Sequence, residues 1–410
     1  MTTFSVFHTD ELQIYKGSSL GGCLRVEAFL GEGGFGFVTK CRNTETDEMV
    51  AIKVNKSHPE IVHQARREIA ILKLLRCLDP DTCNIVRCNG YFFNRDHICL
   101  NFELLDQSLH SYMEDRANQG LPMAELRPVL NQLAAALSHL SSMGVAHADL
   151  KPENVMVVDR RQKPLRVKLI DFGLACPVFP LQPGVCLQTI WYRAPEVMLH
   201  IPFNEAIDMW SLGLVAAELA TGYPLYPGEM NYDVLSFIIE TQGQPADYVL
   251  DRGKEEFKYE TGFQATETRY IQLKSLDDLE QLMVRSGGQQ RDQRLLVHLI
   301  KMMLQLDADQ RIKPLEVLQH PFFAHSLPQS SCPETCLEMV DSDELYPAFA
   351  PSPHLSSRTY TCIEIIDTDE ETPKADQQSS RKSNDRTSGQ LLRDRDGSCL
   401  PGCTISGEEL

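Results

Sequence analysis

Between His147 and Gly173 the stretches "HADLKPEN" and "IDFG" carry four side chains suited to handling charge: Asp149, Lys151, Asn154 and Asp171. The strand-like pieces "VMVV" and "RVKLI" bracket a turn between them. An aspartate can orient a hydroxyl and accept its proton, and a lysine two residues on can neutralise charge on a phosphoryl group. Asn154 and Asp171 offer the hard oxygens that magnesium takes. Any one of these alone is ordinarily a turn aspartate or a capping asparagine. Four in this order, downstream of the features described next, point to phosphoryl transfer.

Upstream, "GEGGFGFV" sets Gly31, Gly33 and Gly36 in G-x-G-x-x-G spacing between two strand signals. Glycines let a backbone close over phosphates. A dinucleotide fold offers the same spacing but needs a helix opening at the third glycine, whereas "FVTKCR" reads as strand. "VAIK" then puts Lys53 on the next strand. A lone strand lysine is usually a solvated charge, but the following helix supplies a partner. Ile61, Ala65, Ile69 and Leu72 repeat at helical spacing, and Glu68 falls on that stripe while Arg66 and Arg67 point away. A carboxylate facing a core is costly unless paired, and Lys53 is the natural partner. Ser57 followed by Glu60 reads as the capping box opening this helix.

The rest of the chain divides by texture. Residues 24–105 read mostly as strands with that one helix, and residues 106–323 mostly as helices. Leu126, Val129, Leu130, Leu133, Leu137 and Leu140 form one apolar stripe stopping at Gly144. Residues 1–23 are expected to be an N-terminal arm. Beyond residue 323 proline, serine, threonine and carboxylates replace apolar periodicity, so 324–410 is expected to be a disordered acidic tail. A net charge of −18 argues against direct nucleic-acid binding, which needs clustered lysine and arginine. No apolar run is long enough to span a bilayer, and Met1–Ser19 lacks a basic start followed by an apolar run. With thirteen cysteines in no framework spacing, reduced thiols and an intracellular, membrane-free setting are expected.

Over residues 24–323 the sequence resembles the eukaryotic protein kinases, with "YRAPE" at 192–196, "DMWSLG" at 208–213 and Arg311 completing the set. "HADLKPEN", "EAIDMWSLG", "PLYPG" and "TQGQPADYVL" together resemble the homeodomain-interacting protein kinases of the proline-directed branch. The resemblance implies an α+β bilobal fold, with a small β-rich N-lobe and a larger helical C-lobe. It implies ATP and Mg2+ as cofactors and an ATP site formed by Leu30, Gly31, Glu32, Gly33, Gly34, Phe35, Gly36, Val38, Ala51 and Lys53. Glu103–Leu104–Leu105 would be the hinge holding adenine, with Phe102 behind it. Lys53 and Glu68, Asp149 and Lys151 would be catalytic, and Asn154 and Asp171 would hold metal. Glu196 would pair with Arg311, and Asp208 would brace the catalytic loop. Thr189 would brace Asp149 and Lys151, and Arg193 would occupy the carbonyl facing the substrate's +1 residue, favouring proline there.

The sequence departs from the wider pattern at Ala148, where many kinases carry an arginine that pairs with a phosphorylated activation segment. It departs from the family resembled at Cys186, in place of an autophosphorylated tyrosine, and at Ile190, in place of arginine. The expectation is an active serine/threonine kinase, with activity on tyrosine left open, whose control differs; a non-catalytic scaffold of the same shape is the alternative. Nuclear residence (cytoplasm the alternative) and transcription regulators as protein substrates follow from the resemblance. In the tail, "IEIIDTDEE" at Ile363–Glu371 resembles motifs that bind small ubiquitin-like modifiers, its isoleucines adding a strand to a partner's sheet edge.

Overall fold

Alternating apolar and polar residues make the first part of the chain a sheet, and the computed structural model describes residues 7–9, 12–178, 187–253, 267–283 and 289–326. A two-stranded ribbon, β1 (Phe7–Thr9) and β2 (Leu12–Ile14), precedes a six-stranded antiparallel sheet. The sheet contains β3 (Ser19–Leu20), β4 (Leu24–Gly33), β5 (Gly36–Asn43), β6 (Met49–Asn55), β7 (Cys88–Asn94) and β8 (His97–Glu103). Their order is β3-β4-β5-β6-β8-β7. The sheet therefore begins before residue 24, correcting the boundary of the expected arm. Ile14 and Leu20 are buried with Val26, Phe37 and Ile52 in the N-lobe core. A two-residue edge strand is too short for alternation to show in the sequence.

Helix α1 (Pro59–Leu75) lies between β6 and β7 and buries Ala65, Glu68, Ile69 and Leu72, with Arg66 and Arg67 exposed as its period predicts. The capping box does not form. His58 is the N-cap, without a side-chain bond, and Pro59 opens the helix. Proline has no N–H to satisfy and its φ is already helical, so Ser57 falls one residue outside the cap.

The C-lobe runs through β9 (Gln107–Ser108), α2 (Leu109–Glu114) and α3 (Met123–Ser142). The six apolar stripe residues of α3 are all buried, and Gly144 follows with φ +65°. Next come β10 (Val145–Ala146), β11 (Val155–Val157), β12 (Val167–Leu169) and β13 (Cys176–Pro177). The helices α4 (Pro195–Met198), α5 (Ala206–Thr221), α6 (Asn231–Gln242), α7 (Asp247–Leu250), α8 (Leu279–Leu282), α9 (Gln290–Met303) and α10 (Pro314–Leu318) complete the lobe. Helix α5 is buried on nearly every face and ends at Gly222, where a Cβ would collide with the Asn118 carbonyl. The bilobal α+β architecture is as expected.

One buried ion pair fixes this lobe. Arg311 grips Glu196 with both terminal nitrogens, at 2.6 and 3.1 Å, and also donates to the carbonyls of Ala206 and Gln305. Its guanidinium lies 5.3 Å from the ring centre of Trp210. The charge and every polar direction are satisfied, which a fully buried guanidinium requires.

Candidate active site

The hairpin of β4 and β5 carries the glycine-rich turn, and the register pairs Gly31 with Val38 and Val38 with Lys53. Strand alternation places Val38, Ala51 and Lys53 on one face of the sheet. Gly36 must be glycine, because a Cβ there would run into the Val54 carbonyl. Leu30 and Phe35 at the edges of this hairpin are exposed, while Leu105, beyond the end of β8, packs against the core. Glu32, Gly33 and Gly34 follow Gly31 into the turn.

Lys53 meets Glu68 of α1 at 2.9 Å and Asp171 at 2.8 Å. One ammonium therefore serves two carboxylates. Burial alone would depress the Lys53 pKa, but Glu68 and Asp171 outweigh it and hold the ammonium above the ordinary lysine range. Burial would likewise raise Asp171, yet Lys53 keeps it below the usual carboxylate value. Both bonds to Asp171 fall on Oδ1, leaving Oδ2 on a side chain 38% exposed. Gln64 of α1 donates to the Gly173 carbonyl at 3.1 Å, tying the helix to the same turn.

The second centre is the loop after β10. Asp208 at the start of α5 accepts the backbone N–H groups of His147 (2.6 Å) and Ala148 (2.9 Å). Those bonds hold Ala148 in a left-handed conformation, φ +60°, which a residue with a Cβ adopts only when its surroundings enforce it. His147 reaches the Ile170 carbonyl at 2.9 Å and packs edge-on against Phe172. Asp149 then receives the Thr189 hydroxyl at 2.7 Å and stands 2.9 Å from Lys151, which itself donates to Thr189 at 2.8 Å. Asn154 donates through Nδ2 to both the backbone and the carboxylate of Asp149, each at 2.8 Å. Both of these bonds use Nδ2, and no bond is formed by its Oδ1 among the described residues.

Arg193 donates to the carbonyls of Leu187 (2.9 Å) and Gln188 (2.7 Å) and to Asn231. Gln188 is left-handed, φ +67°, and its amide bonds Ile207, Ser211 and Ala194. Residues 179–186, Cys186 among them, lie outside the described residues, as does the tail motif at 363–371.

A lysine pinned between a helix glutamate and an aspartate of "IDFG", above an Asp–Lys–Thr cluster, is a phosphotransferase arrangement. The family described as "Protein kinase domain" matches residues 24–323. The chain belongs to the protein kinase family. Homeodomain-interacting protein kinase 2 of Mesocricetus auratus is 41% identical over 351 residues, covering 77% of this chain and 30% of that protein. Homeodomain-interacting protein kinase 1 of Mus musculus is 40% identical over 356 residues, covering 79% and 29%. Homeodomain-interacting protein kinase 4 of Homo sapiens is 35% identical over 340 residues, covering 73% and 55%. The chain thus spans under a third of the length of the first two and about half of the third.

Within the kinase domain, several residues escaped sequence reasoning. Lys168 on β12 is buried and bonds Glu103 at 2.7 Å and Asp81 at 2.9 Å. The Glu103 side chain is thereby engaged by Lys168, and it also accepts the Arg87 backbone N–H at 2.6 Å. His147, Gln64 and Gln188 are the others. A buried strand lysine three residues before "DFG" pairs with residues far away in sequence, so no local pattern marks it.

Proposed function

We propose that this chain is a protein serine/threonine kinase that transfers the γ-phosphoryl of ATP to protein hydroxyls. The observation that carries it is the joint placement of the Lys53–Glu68–Asp171 and Asp149–Lys151–Thr189 clusters. Bound Mg-ATP would supply the phosphoryl group and the cation that neutralises it. The donor set fits: Asp171 Oδ2 and Asn154 Oδ1 are hard oxygens without a bond of their own, and Lys53 is charged and aimed between lobes. Val38 and Ala51 on the Lys53 face, with Leu30 above, would flank adenine, and the glycine-rich turn would cover the phosphates.

Asp149, held by Thr189 and Asn154, orients the acceptor hydroxyl and takes up its proton. Lys151, two residues on, faces the transferred group, which supports serine and threonine as acceptors. The test is labelled phosphate transfer to a serine-proline peptide in Mg-ATP, comparing the wild type with Asp149→Asn. The variant should keep its fold and lose about 10²–10⁴-fold in rate; retained rate would overturn the assignment.

Nuclear transcription regulators as substrates belong to the same proposal, supported by relatives named for interaction with homeodomain proteins. A tagged chain excluded from nuclei would count against it. The tail run Ile363–Glu371 is proposed to bind a small ubiquitin-like modifier. Binding of the peptide should be weak, salt-sensitive and lost on combining Ile365→Ala with Ile366→Ala.

A further inference from the structure

Helix α1 must stay against the Asp171–Gly173 turn for Glu68 to hold Lys53 in place, and a charge-based means of keeping it there is missing. Ala148 carries no cation, and the hydroxyls between Gly173 and Glu196 are those of Thr189 and Tyr192. Two side chains of α1 form hydrogen bonds among the described residues. Glu68 bonds Lys53 within the N-lobe, and Gln64, one helical turn earlier on the same face, donates to the Gly173 carbonyl at 3.1 Å. That carbonyl belongs to a constrained turn. The Gly173 N–H is donated to Asp171 Oδ1 at 3.3 Å, Asp171 is left-handed with φ +60°, and Phe172 between them is buried edge-on against His147. Gly173 is thus held at its N–H by Asp171 and at its carbonyl by Gln64.

Two links join the N-lobe to this turn, one ionic and one neutral. The ionic link is Lys53 to Asp171 at 2.8 Å, and the neutral one is Gln64 to Gly173. In the kinase reading Lys53 and Asp171 are the groups that meet phosphate and cation, so their mutual bond is shared with those ligands. The Gln64 bond uses neither charge, and the ligands do not compete for it. We infer that Gln64 is a positioning residue for phosphotransfer, whose amide holds the Asp171–Gly173 turn, and with it Asp171 Oδ2, in the orientation that receives the cation. The inference rests on the kinase reading. It also gives α1 an anchor that needs no phosphate on the activation segment.

What the position requires is a donor. A Cβ built on Gly173 would lie 3.2 Å from Asp171 Oδ1 and 3.7 Å from both Gln64 Nε2 and Glu68 Oε2, so the amide sits beside two carboxylates. Lys53 from β6 is the one ammonium that bonds them. Methionine has the length of glutamine without its N–H. Glutamate keeps the shape of glutamine, but its ionised form sets a charge against the Gly173 carbonyl, Glu68 and Asp171. Its protonated form regains an O–H that donates to the same carbonyl. Two acids against one ammonium favour that protonated form, so a glutamate substitution should be repaired by acid.

The experiment compares the full chain with Gln64→Met and Gln64→Glu in phosphate transfer to a serine-proline peptide, varying Mg2+, peptide and pH. In parallel, thermal unfolding is followed without ligand and with ATP as Mg2+ is titrated. Gln64→Met should lower kcat about fivefold, the factor one neutral hydrogen bond is worth, and leave the peptide KM unchanged. The Mg2+ concentration giving half of the rate, and half of the thermal shift, should rise by a similar factor. Gln64→Glu should lose about tenfold or more at pH 8, and its rate relative to wild type at the same pH should climb as pH falls to 6. Wild-type kcat and Mg2+ dependence in Gln64→Met overturn the inference, as does a loss confined to the peptide KM. A ratio of Gln64→Glu to wild type that is flat in pH overturns the role of the donated bond. A loss that follows a fall in ligand-free stability, with the Mg2+ dependence unmoved, makes Gln64 a structural residue and overturns it too. No transfer by the wild type defeats the kinase reading, and the inference with it.

Discussion

Two buried ion clusters, one inside the C-lobe and one between the lobes, are built on opposite principles. In the C-lobe, Arg311 and Glu196 balance one charge with one, and two carbonyls take the remaining guanidinium donors. Between the lobes, Lys53 faces two carboxylates, and Asp171 stays 38% exposed. The first cluster is complete and needs nothing more. The second carries a surplus of negative charge at an open edge. Burial pushes the Glu68 carboxyl up, and the Asp171 charge beside it adds to the rise, so Lys53 does not neutralise both acids. Complete pairing marks a residue that holds the fold, whereas incomplete pairing facing a cleft marks a place that awaits a cation.

Breaking the complete pair should have the largest effect. Arg311→Met leaves Glu196 buried without a cation and should lower unfolding free energy by about 3–5 kcal/mol, measured by denaturant titration. A change under about 1 kcal/mol would remove the contrast. Breaking the incomplete cluster should instead show in rate. Lys53→Met should reduce phosphate transfer about 10²–10³-fold, with a smaller loss of stability than Arg311→Met, because Glu68 can take a proton in place of its partner.

Glu218 sharpens the comparison, because it is a carboxylate with no cation at all among the described residues. Its folded pKa of about 7 lies above the ordinary glutamate value, so folding favours the protonated form. The stabilisation is fully present below the unfolded pKa and is lost as pH rises through about 7. Glu218→Gln, which does not titrate, should therefore be more stable than wild type above that pH by about 1–3 kcal/mol, the difference shrinking in acid. Equal stability of the two proteins at pH 8 would show that Glu218 is already paired.

The smallest expected effect is none. The hydroxyls between Gly173 and Glu196 are those of Thr189 and Tyr192. Thr189 is bonded to Asp149 and Lys151, and Tyr192 is buried against Glu218. Ala148 offers no cation to a phosphate. Protein made without kinases and treated with phosphatase should keep most of its turnover, and silencing by phosphatase would contradict this.

Much of this was legible in the sequence for a physical reason. Strand alternation and the helical stripe of α1 placed Lys53 and Glu68 on facing surfaces, and the order of Asp149, Lys151, Asn154 and Asp171 implied that they converge. The start of α1 was misread because Ser57 and Glu60 mimic a capping box, while Pro59 opens a helix without one. The edge strand at Ser19–Leu20 was missed because its burial comes from packing across the sheet.

Lys168 has a mechanical consequence. It belongs to the C-lobe strand that runs into Asp171, yet its ammonium is clasped by Asp81 and Glu103 of the N-lobe. Motions of one lobe against the other that preserve these contacts must pivot about this point. The ammonium thus ties strand β12 to two separate points of the N-lobe, so opening the lobes at this end of the cleft would mean pulling a buried charge off both its carboxylates.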